Sequence, residues 1–265
     1  MLKNTESVYV PALDFGARLR RRWTAARTVA PLRRGTNEFL LSVSFDDVPD
    51  SAATLGAAVL AAQGVSASWY VASGLLRKDS PSGRILDAAR IRELAAGGHE
   101  IALHGHSHAN LALQSTTDAV FDIRRNINEL SDILGRSPSK HFAYPYGETS
   151  VALKRALRGE VASARGIRAQ SNGEGQDRLQ LGAYELSPDP ATCSRAEAAM
   201  AQAARHGGWV VLFTHDVAHE PSPYGVTPQV LAQLLERARS LGARIMPVGE
   251  AFLTLAGQPA VVSFA

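Results

Sequence analysis

The sequence predicts a closed or distorted β/α barrel. From Phe39 onward, short apolar segments typical of strands alternate with helical segments, which is the pattern of a parallel sheet. Roughly seven or eight such units follow one another, which favours a barrel over an open sheet. Neither an internal repeat nor a low-complexity linker interrupts them.

The elements follow from local signals taken in chain order. Apolar and β-favouring runs predict strands at 40–47, 67–71, 100–103, 141–144, near 166 and 179, 209–213 and 244–246. Helical periodicity and Gly or Pro boundaries predict helices at 51–63, 85–96, 117–134, 150–157, 194–204, 228–241 and 248–256. The helix at 117–134 is the clearest, because its apolar residues recur on one face.

Residues 1–35 form a separate N-terminal arm, and residues 36–265 form the barrel domain. Within the arm, Leu13, Phe15, Leu19 and Trp23 alternate with arginines between Arg18 and Arg27, which predicts a short basic helix before Pro31. One interpretation is that residues 13–27 lie on an anionic membrane surface. The simpler one is a helix that packs its apolar stripe on the domain.

Composition excludes several classes of protein. The formal net charge is +3 and the sequence pI about 9.2, a balance too mild to indicate nucleic-acid binding. Cys193 is the single cysteine, so an intramolecular disulfide cannot form. We find neither an apolar run of membrane-spanning length nor a secretion signal, and we therefore expect a cytoplasmic protein.

Two adjacent carboxylates, Asp46 and Asp47, end the first predicted strand, just before Pro49. Strand ends form the functional face of parallel β/α folds, and buried acids there need a partner. Because side chains alternate along a strand, one carboxylate can hold a metal while the other faces a water. The alternative is a turn whose Asp caps the helix that begins near Ser51.

Two histidines, His104 and His108, follow the strand at 100–103. In a helical turn their spacing places both imidazoles on one side, within reach of a single ion, whereas His106 would point elsewhere. One Asp and two His form a metal set with positions open for water. The same residue types bind iron in non-haem oxygenases, but the antiparallel folds of those enzymes disagree with the alternation seen here.

Four segments at predicted strand ends carry these residues and others like them: Ser44-Phe45-Asp46-Asp47, Gly98-His99-Glu100-Ile101 with His104-Gly105-His106-Ser107-His108, Phe142-Ala143-Tyr144-Pro145-Tyr146-Gly147, and Leu212-Phe213-Thr214-His215-Asp216. In this order they resemble the motifs of the polysaccharide deacetylases, the NodB-homology family also called carbohydrate esterase family 4. The similarity covers about residues 39–255. It implies a distorted (β/α) barrel of the NodB-homology type and hydrolysis of an N-acetyl group from a sugar.

The resemblance also implies roles for individual residues. Asp47, His104 and His108 would bind a divalent ion, Zn²⁺ in the first place, with Co²⁺ or Ni²⁺ as alternatives. Asp46 would be the general base that activates the attacking water, and His215 the general acid that protonates the leaving amine. Amide hydrolysis needs these elements, together with a stabilised oxyanion.

The turn at 144–147 is assigned to the substrate. By resemblance, the backbone N–H of Tyr146 would help to hold the oxyanion, and Pro145 belongs to the same turn. Tyr144 either offers an aromatic face to a sugar ring or packs in the core. The long Pro-rich loop at 216–228 is either a functional loop or a plain connector.

The chain departs from the family pattern at three places. Val48 stands where the family often has Gly, so we expect a differently shaped loop. Ala143 stands where many members have an Arg that pairs with the base, which leaves Asp46 without that partner. We find no equivalent of the Asp–Trp motif that orients the acidic His in the stretch 166–184.

The sequence thus predicts a metal-dependent deacetylase in surface-polysaccharide biosynthesis, such as that of an O-antigen or an exopolysaccharide. The substrate would be an N-acetylated sugar in a polysaccharide, an oligosaccharide or a lipid-linked precursor. One alternative is a deformylase of a lipid-linked amino sugar. Another is a catalytically inactive sugar-binding protein of the same fold.

Overall fold

The computed structural model describes residues 14–256. Its strands are β1 (Phe39–Asp46), β2 (Ser68–Val71), β3 (Asp79–Ser80), β4 (Gly83–Arg84), β5 (Glu100–Leu103), β6 (His141–Ala143), β7 (Ser163–Arg165), β8 (Tyr184–Glu185), β9 (Gly208–Thr214) and β10 (Arg244–Ile245). Its α-helices are α1 (Phe15–Ala26), α2 (Ala57–Ala62), α3 (Ala88–Ala96), α4 (Thr116–Leu134), α5 (Val151–Leu157), α6 (Pro190–His206), α7 (Pro228–Ser240) and α8 (Val248–Ala256). A π-helical turn, Ala52–Gly56, precedes α2.

The main sheet has eight strands in the order β7-β6-β5-β2-β1-β9-β8, with β10 also paired to β1. Every pairing in this sheet is parallel. Leu181 forms a parallel bridge to Arg165 of β7, while Tyr184 pairs with Leu212 of β9, so the segment from 181 to 185 joins the two edges. The sheet therefore curls into the predicted distorted barrel, surrounded by helices.

Strand β1 lies at the centre of the sheet and is buried along its whole length. Leu41, Val43 and Phe45 belong to the large core cluster that includes helix residues. The alternate positions, Ser42, Ser44 and Asp46, turn to the other side, as the two-residue period of a strand requires. The barrel interior therefore contains polar side chains at buried positions, and Asp46 is one of them.

Most predicted elements are confirmed, but several boundaries are wrong. Helix α3 begins at Ala88 rather than near residue 85, because the Asp87 side chain accepts hydrogen bonds from Ala89 N and Arg90 N. Asp189 likewise starts α6 at Pro190, four residues before the predicted start. The strand expected near 166 is β7, but the one expected near 179 is wrong, because Leu179 lies in a turn and the next strand, β8, begins at Tyr184. The β3–β4 hairpin was not predicted.

The basic helix of the arm is α1, and it is fixed to the barrel by polar contacts. Lys154 Nζ, on α5, donates to the carbonyl oxygens of Thr24 at 2.8 Å and Arg27 at 2.7 Å. Arg21 Nε donates to Glu148 Oε1 at 2.8 Å. Residue 13, where the predicted membrane contact begins, and the rest of the arm before it lie outside the described residues.

The apolar stripe of α1 does not pack on the domain. Phe15, Leu19 and Trp23 are 80%, 56% and 53% exposed, whereas Ala17 and Thr24 are buried. The simpler sequence interpretation, packing through the stripe, is therefore wrong: the helix packs through its other face. Within residues 14–256, no helix is both long and apolar enough to cross a membrane.

Candidate active site

The two adjacent carboxylates lie at the carboxyl end of β1. Asp46 is the last residue of the strand, and Asp47 begins a turn in which Val48 N donates to Asp46 O at 2.5 Å. Asp47 and Val48 have φ of 58° and 59°, in the left-handed region that favours glycine. The valine that stands in place of the family's glycine therefore keeps a glycine-like backbone at the cost of strain, of order 1–3 kcal/mol for each such residue.

The loop after β5 brings His104 and His108 together, but not as a helical turn. Gly105 has φ 78° and His108 φ 53°, so the chain reverses instead of winding. The side chain of Asp122, on α4, accepts the backbone N–H groups of His106 at 2.8 Å and Ser107 at 3.0 Å. The sequence argument from helical spacing was wrong about the conformation, although the two imidazoles do converge.

Asp47, His104 and His108 form a compact set of three donors. Asp47 Oδ1 lies 3.6 Å from His104 Nε2 and 3.1 Å from His108 Nε2. One ligand atom from each residue lies within 4.8 Å of the others. Bond lengths of about 2.0–2.1 Å in a tetrahedral zinc site place ligands about 3.3 Å apart, which matches these separations.

The hydrogen bonds around the three donors also fit a divalent cation. His104 Nδ1 lies 2.8 Å from Ala143 O, so the Nδ1–H form leaves the lone pair of Nε2 directed at Asp47. Asp47 Oδ1 is buried and has no hydrogen-bond partner among the described residues. A buried carboxylate oxygen that lies close to two imidazole nitrogens and has no hydrogen-bond partner is the donor arrangement that a metal ion satisfies.

Electrostatics favour the protonation states of Asp47 and His104 that metal binding requires. Burial by itself would raise the pKa of Asp47, but the positive charges that His108, His104 and His215 can carry outweigh it, and the pKa is lowered. Burial lowers the pKa of His104 to about 4, although Asp46 opposes the shift. An ionised Asp47 and a neutral His104 are the forms that bind metals.

The turn after β6 lies against the histidines. The ring of Tyr146 lies 4.8 Å from that of His108, and Tyr146 has φ 59°. Pro145 is buried as the first residue of this turn, so it shapes the turn instead of facing a substrate. Tyr144 is 1% exposed and its hydroxyl donates to Leu179 O at 2.8 Å. Of the two alternatives for this residue, the structure therefore shows packing in the core, and the ring is not open to a sugar.

His215 follows the end of β9, on the same rim. Its backbone N–H donates to Tyr224 O at 3.1 Å, and its ring lies 5.6 Å from that of Tyr224. Its Nδ1 is buried without a hydrogen-bond partner among residues 14–256, in agreement with the absence of an Asp–Trp motif from the stretch 166–184. The loop after it is held by Asp216, which accepts from Ser222 N at 2.9 Å.

His106, as expected, points away from the donor set. Its Nδ1 lies 2.8 Å from Glu129 Oε2 and 3.2 Å from Ser73 Oγ. These contacts hold the loop against α4 and the segment after β2. His106 therefore serves as a natural control position for the two histidines beside it.

Arg165 is the residue of the site that sequence reasoning missed. It is 1% exposed, on β7, and its Nη2 donates to Asp46 Oδ1. The expectation that Asp46 lacks a cationic partner is therefore wrong. The available signal was an arginine at the end of a segment of small and apolar residues, Val161-Ala162-Ser163-Ala164-Arg165, because arginines are rarely buried without a partner.

One family model matches the first part of the barrel. The family model described as "Polysaccharide deacetylase" matches residues 33–160, which include the three donors and end before Arg165 and His215. The comparison with curated proteins found no significant match.

Solved structures resemble the whole barrel. A family 4 acetyl xylan esterase from Clostridium thermocellum, in complex with a cobalt ion, is 27% identical, with a TM-score of 0.57 over 83% of this chain and 93% of that one. The Bc1960 peptidoglycan N-acetylglucosamine deacetylase is 17% identical, with a TM-score of 0.58 over 86% and 94%. BA3943 from Bacillus anthracis, a CE4 family pseudoenzyme, is 11% identical, with a TM-score of 0.59 over 83% and 68%.

Proposed function

We propose that the chain, whose residues 33–160 match the polysaccharide deacetylase family model, is a metal-dependent hydrolase that removes an N-acetyl group from an amino sugar. The observation that carries the proposal is the donor set of Asp47, His104 and His108 beside a second carboxylate, Asp46, at the same strand ends. Asp47, His104 and His108 would hold the cation, Zn²⁺ in the first place, with Co²⁺ or Ni²⁺ as alternatives. A divalent cation there would supply Lewis-acid activation of water and of the acyl carbonyl.

The remaining steps fall to side chains and backbone. Asp46 takes a proton from the attacking water as the water oxygen bonds to the acyl carbon. The backbone N–H of Tyr146 donates to the oxyanion that develops on the acyl oxygen. His215 gives a proton to the nitrogen as the C–N bond breaks, so the products are acetate and the free amine.

Two features of α1 support a substrate at a membrane surface. The exposed Phe15, Leu19 and Trp23 recur four residues apart, on one face, next to exposed arginines at 18, 20 and 22. Arg21 ties this helix to Glu148, two residues from Tyr146 in the candidate site. Contact of α1 with anionic lipids would thus bring the site close to a lipid-linked precursor of a surface polysaccharide, such as an O-antigen or an exopolysaccharide, at the cytoplasmic face.

The alternatives differ in the acyl group or in activity. A deformylase would use the same groups on a formylated amino sugar, and the likeness to an acetyl xylan esterase favours O-acetyl sugars as a second candidate. An inactive sugar-binding protein is disfavoured, because the metal donors, a carboxylate and His215 are all in place.

The test is acyl release from a panel of sugars by the zinc-loaded protein. The panel contains N-acetylated and N-formylated amino sugars, free and lipid-linked, and acetylated xylan. We expect acetate from an N-acetylated member and none from the Asp46→Asn variant. Zinc-loaded protein that releases neither acetate nor formate from any member would overturn the proposal.

A further inference from the structure

A buried ion pair joins the candidate general base to a residue on the far side of the sheet. Arg165 Nη2 donates to Asp46 Oδ1, and the side chains are 1% and 5% exposed. The two strands are separated by β6, β5 and β2 in the sheet order, so the arginine side chain reaches across the barrel interior. Arg165 lies after residues 33–160, the part of the chain that matches the family model.

Small side chains leave the space that Arg165 occupies. Ala143 of β6 is the direct neighbour of Arg165 of β7 in the parallel register. Ala143 packs with Ala102 and Tyr70 in a cluster of three buried residues. The position at which an arginine is expected from the resemblance thus holds an alanine, and the guanidinium comes from the adjacent position on the next strand.

Two aromatic rings fix the guanidinium in place. Arg165 Cζ lies 4.6 Å from the centroid of Tyr70 and 4.9 Å from that of Phe213. Arg165 Nη1 also lies 3.4 Å from Gly166 O. A planar cation held between two rings has few orientations, and so does the carboxylate that accepts its hydrogen bond.

Stability by itself does not account for this arrangement. Buried ion pairs contribute little net stability, because the desolvation of both charges opposes their attraction. Arg165 Nε is also buried without a hydrogen-bond partner in the described part of the chain. Such an unsatisfied donor is unfavourable, so the arrangement points to a role at Asp46.

We propose that Arg165 is the positioning residue for the general base, and that Ala143 and Arg165 together replace an arginine at position 143. This inference rests on the proposed function of Asp46. Arg165 holds one oxygen of the Asp46 carboxylate and compensates its charge inside the barrel. The other oxygen is thereby left to accept the proton of the attacking water.

The experiment transfers the guanidinium from position 165 on β7 to position 143 on the neighbouring strand β6. Zinc-loaded wild-type protein, Arg165→Ala, Ala143→Arg and the double variant Ala143→Arg/Arg165→Ala are compared for kcat and KM on the substrate found in the panel, and for zinc content. We expect Arg165→Ala to lose about 100-fold or more in kcat, with KM and zinc content little changed. The double variant should recover at least about tenfold of that loss, and millimolar guanidinium should partly restore Arg165→Ala.

The control is Ala143→Arg alone, which crowds the barrel with a second guanidinium and should be less active than the double variant. If Arg165 had only a structural role, neither added guanidinium nor the Ala143→Arg substitution would restore the kcat of Arg165→Ala. Arg165→Ala with wild-type kcat, or a folded, zinc-bound double variant no better than Arg165→Ala, would overturn the inference. An inactive wild-type protein would instead overturn the proposed function.

Discussion

The metal set can be tested without knowledge of the substrate. A ligand that binds only the folded state stabilises it by about 4.1 kcal/mol at a concentration 1,000 times its dissociation constant. For a chain of 265 residues, 1 kcal/mol shifts Tm by about 2 °C. Zinc at that concentration should therefore raise the Tm of the wild-type protein by about 8 °C.

Loss of one of the three donors should remove most of this shift. Asp47 Oδ1 lies 3.6 Å from His104 Nε2 and 3.1 Å from His108 Nε2, so an alanine at any of the three positions leaves two ligands of the set. Even residues that only orient ligands are worth 10–100-fold in metal affinity. A site about 100-fold weaker retains about 1.4 kcal/mol at the same zinc concentration, or about 3 °C.

The assay is differential scanning fluorimetry with and without zinc on Asp47→Ala, His104→Ala and His108→Ala. The matched control is His106→Gln, in the same loop but directed at Ser73 and Glu129, which should keep the full shift. Asp46→Asn should also keep it. A zinc shift lost in Asp46→Asn and kept in Asp47→Asn would refute the assignment of the two carboxylates.

Three further predictions concern the acid, the arm and pH. His215→Ala should lose about 10²–10⁴-fold in kcat and keep the zinc-induced Tm shift, whereas an unchanged kcat would remove His215 from the mechanism. Replacing Phe15, Leu19 and Trp23 with Ser should weaken binding to anionic vesicles, with the arginine contribution masked at high salt. Phe121→Ser, a 69% exposed position on α4, is the control and should bind like wild type; equal binding by both variants would contradict the membrane contact. Burial lowers the pKa of His99, whose Nδ1 accepts the Ala67 N–H at 3.2 Å. The unfolded pKa is about 6.5, so as the pH falls through that value the unfolded state binds more protons than the folded state. The free energy of unfolding therefore decreases as the pH falls. In urea denaturation, His99→Gln should lose less stability than wild type between pH 7.5 and 5.5, and an equal loss would disprove the account.

Local signals in the sequence predict the barrel and three of the strand ends that carry candidate catalytic or metal-binding residues. Strand-forming runs, helical periodicity and capping residues are local signals, and the order of strands ending in Asp46, His104 and His215 follows from alternation along the chain. The resemblance at four segments then assigned roles to these residues. Boundaries were less certain, since the caps at Asp87 and Asp189 lie outside the apolar pattern.

Tertiary structure decided what depends on contacts between distant strands. Arg165 meets Asp46 only because the sheet curls, a contact across 119 residues that local periodicity does not encode. His104 and His108 converge through positive φ at Gly105 and His108, not through helical spacing. The burial of Tyr144 depends likewise on packing that only the folded chain defines.

The same reason explains the outward stripe of α1. Its amphipathic pattern predicts which residues share a face. The face that meets the barrel depends on contacts with Lys154 and Glu148, which are distant in sequence. Which residues of an element share a face can therefore be predicted from its local sequence, because side-chain periodicity is a property of the backbone. The neighbour that each face meets is a property of the whole fold.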